Sequence, residues 1–251
     1  MICYVATAVA IFVATSGTAN GRGMRGEFNI STNKVMAIKL ARLRAFVAPP
    51  DDPTEYYPDC AAYKHFMREI GMLLAYEVAK DLTTMDVRFD TPRGEATGKR
   101  LSGNYSVVVP ILRTGLILAE GFQTVLSHTH TGHIGLHKDK DHPEAGLIEY
   151  LVVLPNPDPP TRLFIVLDSV VATGETADRA INLIKEHGAT NISFGSVVTS
   201  RLARDRLTKA HPDVRFYAAA VDEELDAAGR VVPGLGSVSE LLFGFRTATV
   251  G

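Results

Sequence analysis

What most constrains this chain is a set of short apolar runs that do not alternate with polar residues. Val107, Val108, Val109, Ile111 and Leu112 form one, and 131–136, 163–167, 192–198 and 214–219 repeat the pattern. Such runs suit strands covered on both faces, as in a parallel sheet between helices. Helical periods lie between them. Asp59 is placed to cap a helix whose apolar face carries Phe66, Ile70, Leu73, Leu74 and Val78. A second helix carries Ala177, Ala180, Ile181 and Ile184 and closes at Gly188, and a third runs from about Arg201 to Ala210. The alternation predicts an α/β fold, a doubly wound and mostly parallel sheet.

The 251 residues are 46% hydrophobic and 22% charged, which excludes a disordered, collagenous or coiled-coil chain and leaves enough length for a sizeable core. A net charge of −2 gives no reason to expect a nucleic-acid or membrane partner, although a local basic pocket is compatible with it. Cys3 and Cys60 are too few for a disulfide framework or a zinc site, so the chemistry reads as intracellular and cytoplasmic. Residues 1–14 (MICYVATAVAIFVA) are apolar but short for a membrane span, and no Lys or Arg precedes them. They are read as a weak targeting segment, as a hydrophobic tail, or as lying ahead of a true start at Met24, with the last favoured. We expect a leader over 1–32, one domain over 33–246 and a tail over 247–251.

The sharpest local feature is the segment Leu163-Phe-Ile-Val-Leu-Asp168-Ser169-Val170-Val171-Ala172-Thr173-Gly174-Glu175-Thr176. An apolar strand ends at an acidic residue, passes through a short loop and enters a helix near Thr176. N–H groups at that helix start, with the Thr173 and Thr176 hydroxyls, suit a phosphate dianion. Gly174 lets the backbone come close. Asp168 is placed to accept hydrogen bonds from ribose hydroxyls, so a phosphate beside a sugar points to a phosphorylated ribose. The same residues also suit a plain cap and turn. The Gly-Lys-Ser/Thr ending of a Walker loop is missing.

This segment resembles the phosphoribosyl-diphosphate loop of type I phosphoribosyltransferases. Val109-Pro-Ile-Leu-Arg113-Thr-Gly115-Leu, Gly132-His-Ile-Gly135-Leu-His-Lys138-Asp139, Glu149-Tyr150 with Leu154-Pro155, and Val232-Pro-Gly-Leu-Gly236 closing on Phe243-Gly244 narrow the resemblance to uracil phosphoribosyltransferase. So does Ile70-Gly-Met-Leu-Leu-Ala-Tyr76-Glu77, and the motifs keep family order over about 34–245. The resemblance implies a small hood built from the N-terminal helices and the C-terminal loop. It implies transfer of phosphoribose from phosphoribosyl diphosphate (PRPP) to uracil in pyrimidine salvage, with Mg2+ carried by the diphosphate. It also implies a homodimer or homotetramer and GTP as an allosteric activator.

Carried over by motif, Arg113 and Asp168 are the expected catalytic residues. Arg113 contacts the diphosphate, with a structural ion pair as its alternative role. Lys138, standing where the family has arginine, keeps the charge but loses the planar fork. Asp168 holds the ribose. Ser169, Val170, Val171, Ala172, Thr173, Gly174, Glu175 and Thr176 complete the expected PRPP site together with Ser237. The uracil site is expected at Val231, Gly236, Ser237 and Val238, where fixed backbone groups match the uracil edge and mismatch cytosine.

Several positions depart from the family pattern. Ser237 replaces Asp, Arg230 replaces Tyr, Ser169 replaces Pro, Glu175 replaces Gly, Val153 replaces Lys and Asp226 replaces Asn. We expect Glu175 to project outward from the helix start. These departures keep two further readings open: a ligand-binding homologue with weak turnover, and a transferase with altered base preference. The histidines at 128, 130, 133, 137 and 142 are read as solvated or core groups rather than metal ligands.

Overall fold

A computed structural model describes residues 25–47, 60–138, 146–159 and 161–244. In chain order the elements are β1 (Phe28–Ile30), α1 (Lys34–Phe46), α2 (Cys60–Val78), a 3-10 turn (Ala79–Asp81), β2 (Thr84–Thr91), β3 (Gly94–Leu101), β4 (Ser106–Leu112), α3 (Gly115–Val125), β5 (Thr129–Thr131) and β6 (His133–Lys138). They continue with β7 (Leu147–Val153), β8 (Leu163–Val171), α4 (Glu175–Glu186), β9 (Asn191–Ser200), α5 (Arg201–Ala210), β10 (Arg215–Asp222), β11 (Glu224–Leu225), β12 (Val231–Val232) and α6 (Val238–Phe243).

The main sheet runs β1-β10-β9-β8-β4-β6-β7, with β5 also alongside β4. Every neighbouring pair is parallel except β6 with β7. The non-alternating runs are explained by β8. Leu163, Ile165 and Leu167 enter a cluster with α1, α2 and α3, while Phe164 and Val166 enter a second cluster with α4 and α5. Helices cover both faces, as expected. The winding reverses between β4 and β8, and the carboxyl ends of strands at such a point form the natural crevice for a ligand.

The helix ends follow side-chain chemistry. Asn33 Oδ1 accepts from Val35 N–H at 2.9 Å and Met36 N–H at 3.4 Å, starting α1. At the end of α4, Gly188 N–H and Ala189 N–H donate to the Lys185 and Ile184 carbonyls, the double closure expected of a Gly-terminated helix. The N-terminal helices and the C-terminal loop come together as the hood requires. Met36, Leu40, Leu43, Tyr63 and Met67 share a cluster with Val231, Leu235, Val238, Leu241 and Leu242.

Four features differ from the sequence reading. β8 does not end at Asp168: Val170 and Val171 remain paired with Val198 and Thr199, so only 172–174 form the loop. The strand expected over 131–136 is two pieces, β5 and β6, separated at Gly132, whose N–H donates to the Val108 carbonyl. The β2–β3 hairpin had no counterpart in the sequence reading, because both its faces are largely exposed and carry no apolar pattern. β1 lies within the stretch assigned to the leader, yet pairs in parallel with β10 through Phe28, Asn29 and Ile30. The apolar segment 1–14, Met24, the cap Asp59 and the tail 247–251 lie outside the described residues. No helix among the described residues is long and apolar enough to cross a membrane.

Candidate active site

The β8–α4 connection is short because two glycine- and serine-based devices turn it. Gly174 adopts φ +80° immediately before α4, a left-handed conformation that side chains resist, and its α-carbon faces Ala203 of α5. Ser200 Oγ donates to the Ala172 carbonyl and accepts from Ala203 N–H at 3.0 Å. One hydroxyl thus caps α5 and ties down the loop. The first N–H groups of α4 have no carbonyl within the helix to bond.

Around this turn is a cavity of about 330 Å³. Lys138, Asp168, Val170, Val171, Ala172, Thr173, Gly174 and Thr176 line it, as do Ala177, Ala228 and Gly229. Lys138 and Asp168 are the charged side chains of that lining. Asp168 Oδ1 accepts Ser169 N–H at 2.7 Å and faces the Thr114 hydroxyl at 3.4 Å. Burial is the dominant influence on this carboxyl and pushes it up to about 7, against the opposite pull of those two donors.

Four members of the expected PRPP set, Arg113, Ser169, Glu175 and Ser237, do not line the cavity. Ser169 is 1% exposed and contributes its N–H to Asp168. Glu175 pairs with Lys138 and, at 3.4 Å, with Arg206 of α5. Its carboxyl is held below the ordinary range chiefly by the Lys138 hydrogen bond. Lys138 therefore lines the cavity while holding the Glu175 carboxylate.

Arg113 follows β4 across a cis Leu112–Arg113 bond. Its Nη2 donates to Ser239 Oγ at 3.1 Å and its guanidinium lies 4.9 Å from the Phe243 ring centre. Arg113 thereby joins the switch point to α6 and to the loop that precedes it. Val231 and Val238 are buried, whereas Gly236 and Ser237 are exposed at that loop's surface. Ser237 precedes α6 without a capping side-chain bond. Asp168, Thr114, Arg113 and Ser239 thus link the cavity at the β8–α4 turn to the start of α6.

Sequence reasoning missed three contributors. Ala228 and Gly229 form one wall of the cavity although more than fifty positions separate them from the β8–α4 loop. Asp226 shapes their turn: its side chain accepts the Ala228 and Arg230 N–H groups, and Arg230 Nε returns to it at 2.8 Å. Asp226-Ala-Ala-Gly229 is a recognisable Asx turn, but nothing in the sequence points it at Thr173. Ser200 is the third, legible only as a helix cap. Among the described residues no three His, Cys, Asp or Glu gather to hold a metal. His130 instead accepts from Arg162 at 2.6 Å and His128 bonds to Ser127; His142 lies outside the described residues.

Comparison with known proteins agrees with this geometry. Residues 59–245 match the family described as uracil phosphoribosyltransferase. The uracil phosphoribosyltransferase of Macrococcus caseolyticus (strain JCSC5402) is 44% identical over 184 residues, covering 73% of this chain and 87% of that protein. That of Staphylococcus carnosus (strain TM300) is 41% identical with the same coverage. Among solved structures, the AQ2163 protein from Aquifex aeolicus shares the fold at a TM-score of 0.76, with 22% identity over 88% of this chain and 100% of that one. A match of this length, on a sheet whose switch point carries the 172–174 turn and Arg113, places the chain in the uracil phosphoribosyltransferase family.

Proposed function

We propose that this protein transfers the phosphoribosyl group of PRPP to N1 of uracil, giving UMP and diphosphate in pyrimidine salvage. The observation that carries this reading is the cavity at the β4/β8 switch point, where the N–H groups and hydroxyls of 172–176 meet a single carboxyl, Asp168. The 5′-phosphate fits the start of α4, which offers donors and no opposing carboxyl from the lining. Asp168 accepts from the ribose hydroxyls. Arg113 and Lys138 approach from β4 and β6, the side on which the diphosphate leaves.

In the reaction the bond from ribose C1 to the diphosphate oxygen breaks, the bond from C1 to uracil N1 forms, and the N1 proton is released. Positive charge grows on the sugar and negative charge on the diphosphate. Arg113 and Lys138 act on the second of these, and fixed groups that need no reorganisation are the effective ones. Mg2+ enters as part of the donor, bound to its diphosphate. The base is read by the backbone of 231–238, whose donors and acceptors complement O4 and N3–H of uracil. A cytoplasmic location, assembly into homodimers or homotetramers and activation by GTP belong to the same reading.

The test is formation of UMP from uracil and PRPP with Mg2+, with an Asp168→Asn control and a GTP arm. Turnover that the control loses supports the reading. Donor binding without turnover favours the weak homologue, and turnover of another base favours altered preference.

A further inference from the structure

The loop assigned to the base hangs on a buried carboxylate, Asp222, whose partly exposed partner Arg44 comes from the opposite end of the chain. Asp222 ends β10 and is 6% exposed. Arg44, in the last turn of α1, directs Nη2 at both carboxylate oxygens, at 2.6 and 2.7 Å. The same carboxylate takes the Gly234 N–H on Oδ2 at 3.0 Å. Gly234 has φ +60°, and a Cβ there would stand 2.3 Å from the Val231 carbonyl oxygen, so the shape of this turn requires glycine here. That shape aims the N–H at Asp222.

Neighbouring residues hold the rest of the loop from the same side. The Tyr63 hydroxyl of α2 donates to the Leu235 carbonyl at 3.3 Å. Val47, which ends α1, packs against the backbone at Gly236. None of Arg44, Tyr63, Asp222 and Gly234 lines the phosphate cavity. The two halves of the site therefore have separate supports.

A carboxylate this buried is stable only with its counter-charge in place, so the position of Arg44 fixes that of Asp222, and Asp222 fixes the Gly234 N–H. We propose that Arg44 and Asp222 are positioning residues for the pyrimidine: they set the height and register of the backbone at Gly234, Leu235 and Gly236, and through it the preference for uracil. The proposal rests on the transferase reading above. It extends that reading to a residue of α1 that lies outside every motif quoted for the family resemblance.

A second buried carboxylate supplies the control. Asp81 is 6% exposed and accepts from the Ser193 and Tyr217 hydroxyls, both at 2.9 Å, with Arg215 at 3.6 Å. It touches no loop of the site. Asp222→Asn, Arg44→Lys and Asp81→Asn are each assayed for uracil KM, PRPP KM, kcat and the uracil-to-cytosine ratio, with melting followed with and without PRPP.

Asp222→Asn and Arg44→Lys should each raise the uracil KM about tenfold and lower the uracil-to-cytosine ratio, while the PRPP KM stays within about twofold. Asp81→Asn should lower the melting temperature and leave both KM values in place. If Asp222→Asn does not fold, Arg44→Lys decides, since it keeps the charge but replaces the Nη2 that reaches both oxygens with an ammonium on a shorter side chain. An Arg44→Lys protein with unchanged uracil KM overturns the proposal, as do parallel increases in both KM values. A wild-type chain that makes no UMP overturns the transferase reading and this inference with it; a wild-type chain that turns over while the variants show no uracil effect overturns the inference alone.

Discussion

The Glu175 carboxyl holds the Lys138 ammonium, joining the end of β6 to the first residue of α4 at the rim of the phosphate-loop cavity. Both side chains are partly exposed, so the pair is worth little to stability. Its weight falls on binding, because Lys138 meets an anionic donor only in competition with a carboxylate already present.

Replacing that carboxylate should therefore favour the donor. Glu175→Gln should lower the PRPP KM about threefold, with kcat and uracil KM close to wild type. The difference should shrink as salt rises, because the charges involved are accessible to screening. Steady-state kinetics at low and high ionic strength read both effects.

Asp168 carries a pH dependence of definite sign. Its carboxyl is raised from 3.8 to about 7 in the fold, first by burial. The fold is penalised once the group ionises, a penalty absent below the unfolded value, growing toward about 7 and constant above it. Heat stability of the donor-free protein should thus decline across that interval, and Asp168→Asn should remove this part of the decline. Activity should run the other way, because the ribose hydroxyls require an ionised acceptor. kcat/KM for PRPP should rise through about 7, and Thr114→Val should move the rise to higher pH by deleting a hydroxyl that lowers the group. Melting curves and a pH–rate profile test the two halves separately.

Ser200→Ala removes a helix cap and the tie to Ala172 in one change. Loss of the cap should cost about 1–2 kcal/mol. Melting should fall by about 2–8 °C at this chain length. Loss of a cap alone would leave binding untouched, whereas loss of the tie to Ala172 should also raise the PRPP KM.

Ser237 stands at the surface ahead of α6, in the position where the family resemblance places Asp. Ser237→Asp should raise kcat/KM for PRPP several-fold in the presence of Mg2+, since a carboxylate can accept from metal-bound water and a hydroxyl supplies no charge. Loss of activity instead would show that this chain has reorganised the site around the smaller residue.

The elements legible in the sequence were those whose surroundings leave a one-dimensional trace. β8, β9 and β10 are buried on both faces and therefore read as short, mostly apolar runs without a polar face. α4 and α5 bury one face each and read as periods. β2 and β3 pair along their full length but cover nothing, so their sequence carries no such trace. β8 was cut short because Asp168 and Ser169 interrupt its apolar run, although β9 continues to pair beyond them. The turn between β8 and α4 was legible because its glycine and hydroxyl residues are consecutive. Ala228, Gly229 and Ser200 were not, because their places in the site come from chain reversals after β9 and β10.

The support of the base loop from α1 and α2 limits how this site can be rebuilt. Exchanging 223–244 for the matching stretch of a relative looks like a self-contained graft, since it carries every residue expected to meet the base. The grafted loop would nevertheless arrive on a seat cut for another occupant: Arg44, Val47 and Tyr63, from the far end of the chain, would still hold it. The smallest portable piece is the loop together with those helices. If Arg44 positions the base loop as proposed, drift in α1 would retune the base preference without touching a single residue expected to meet the base.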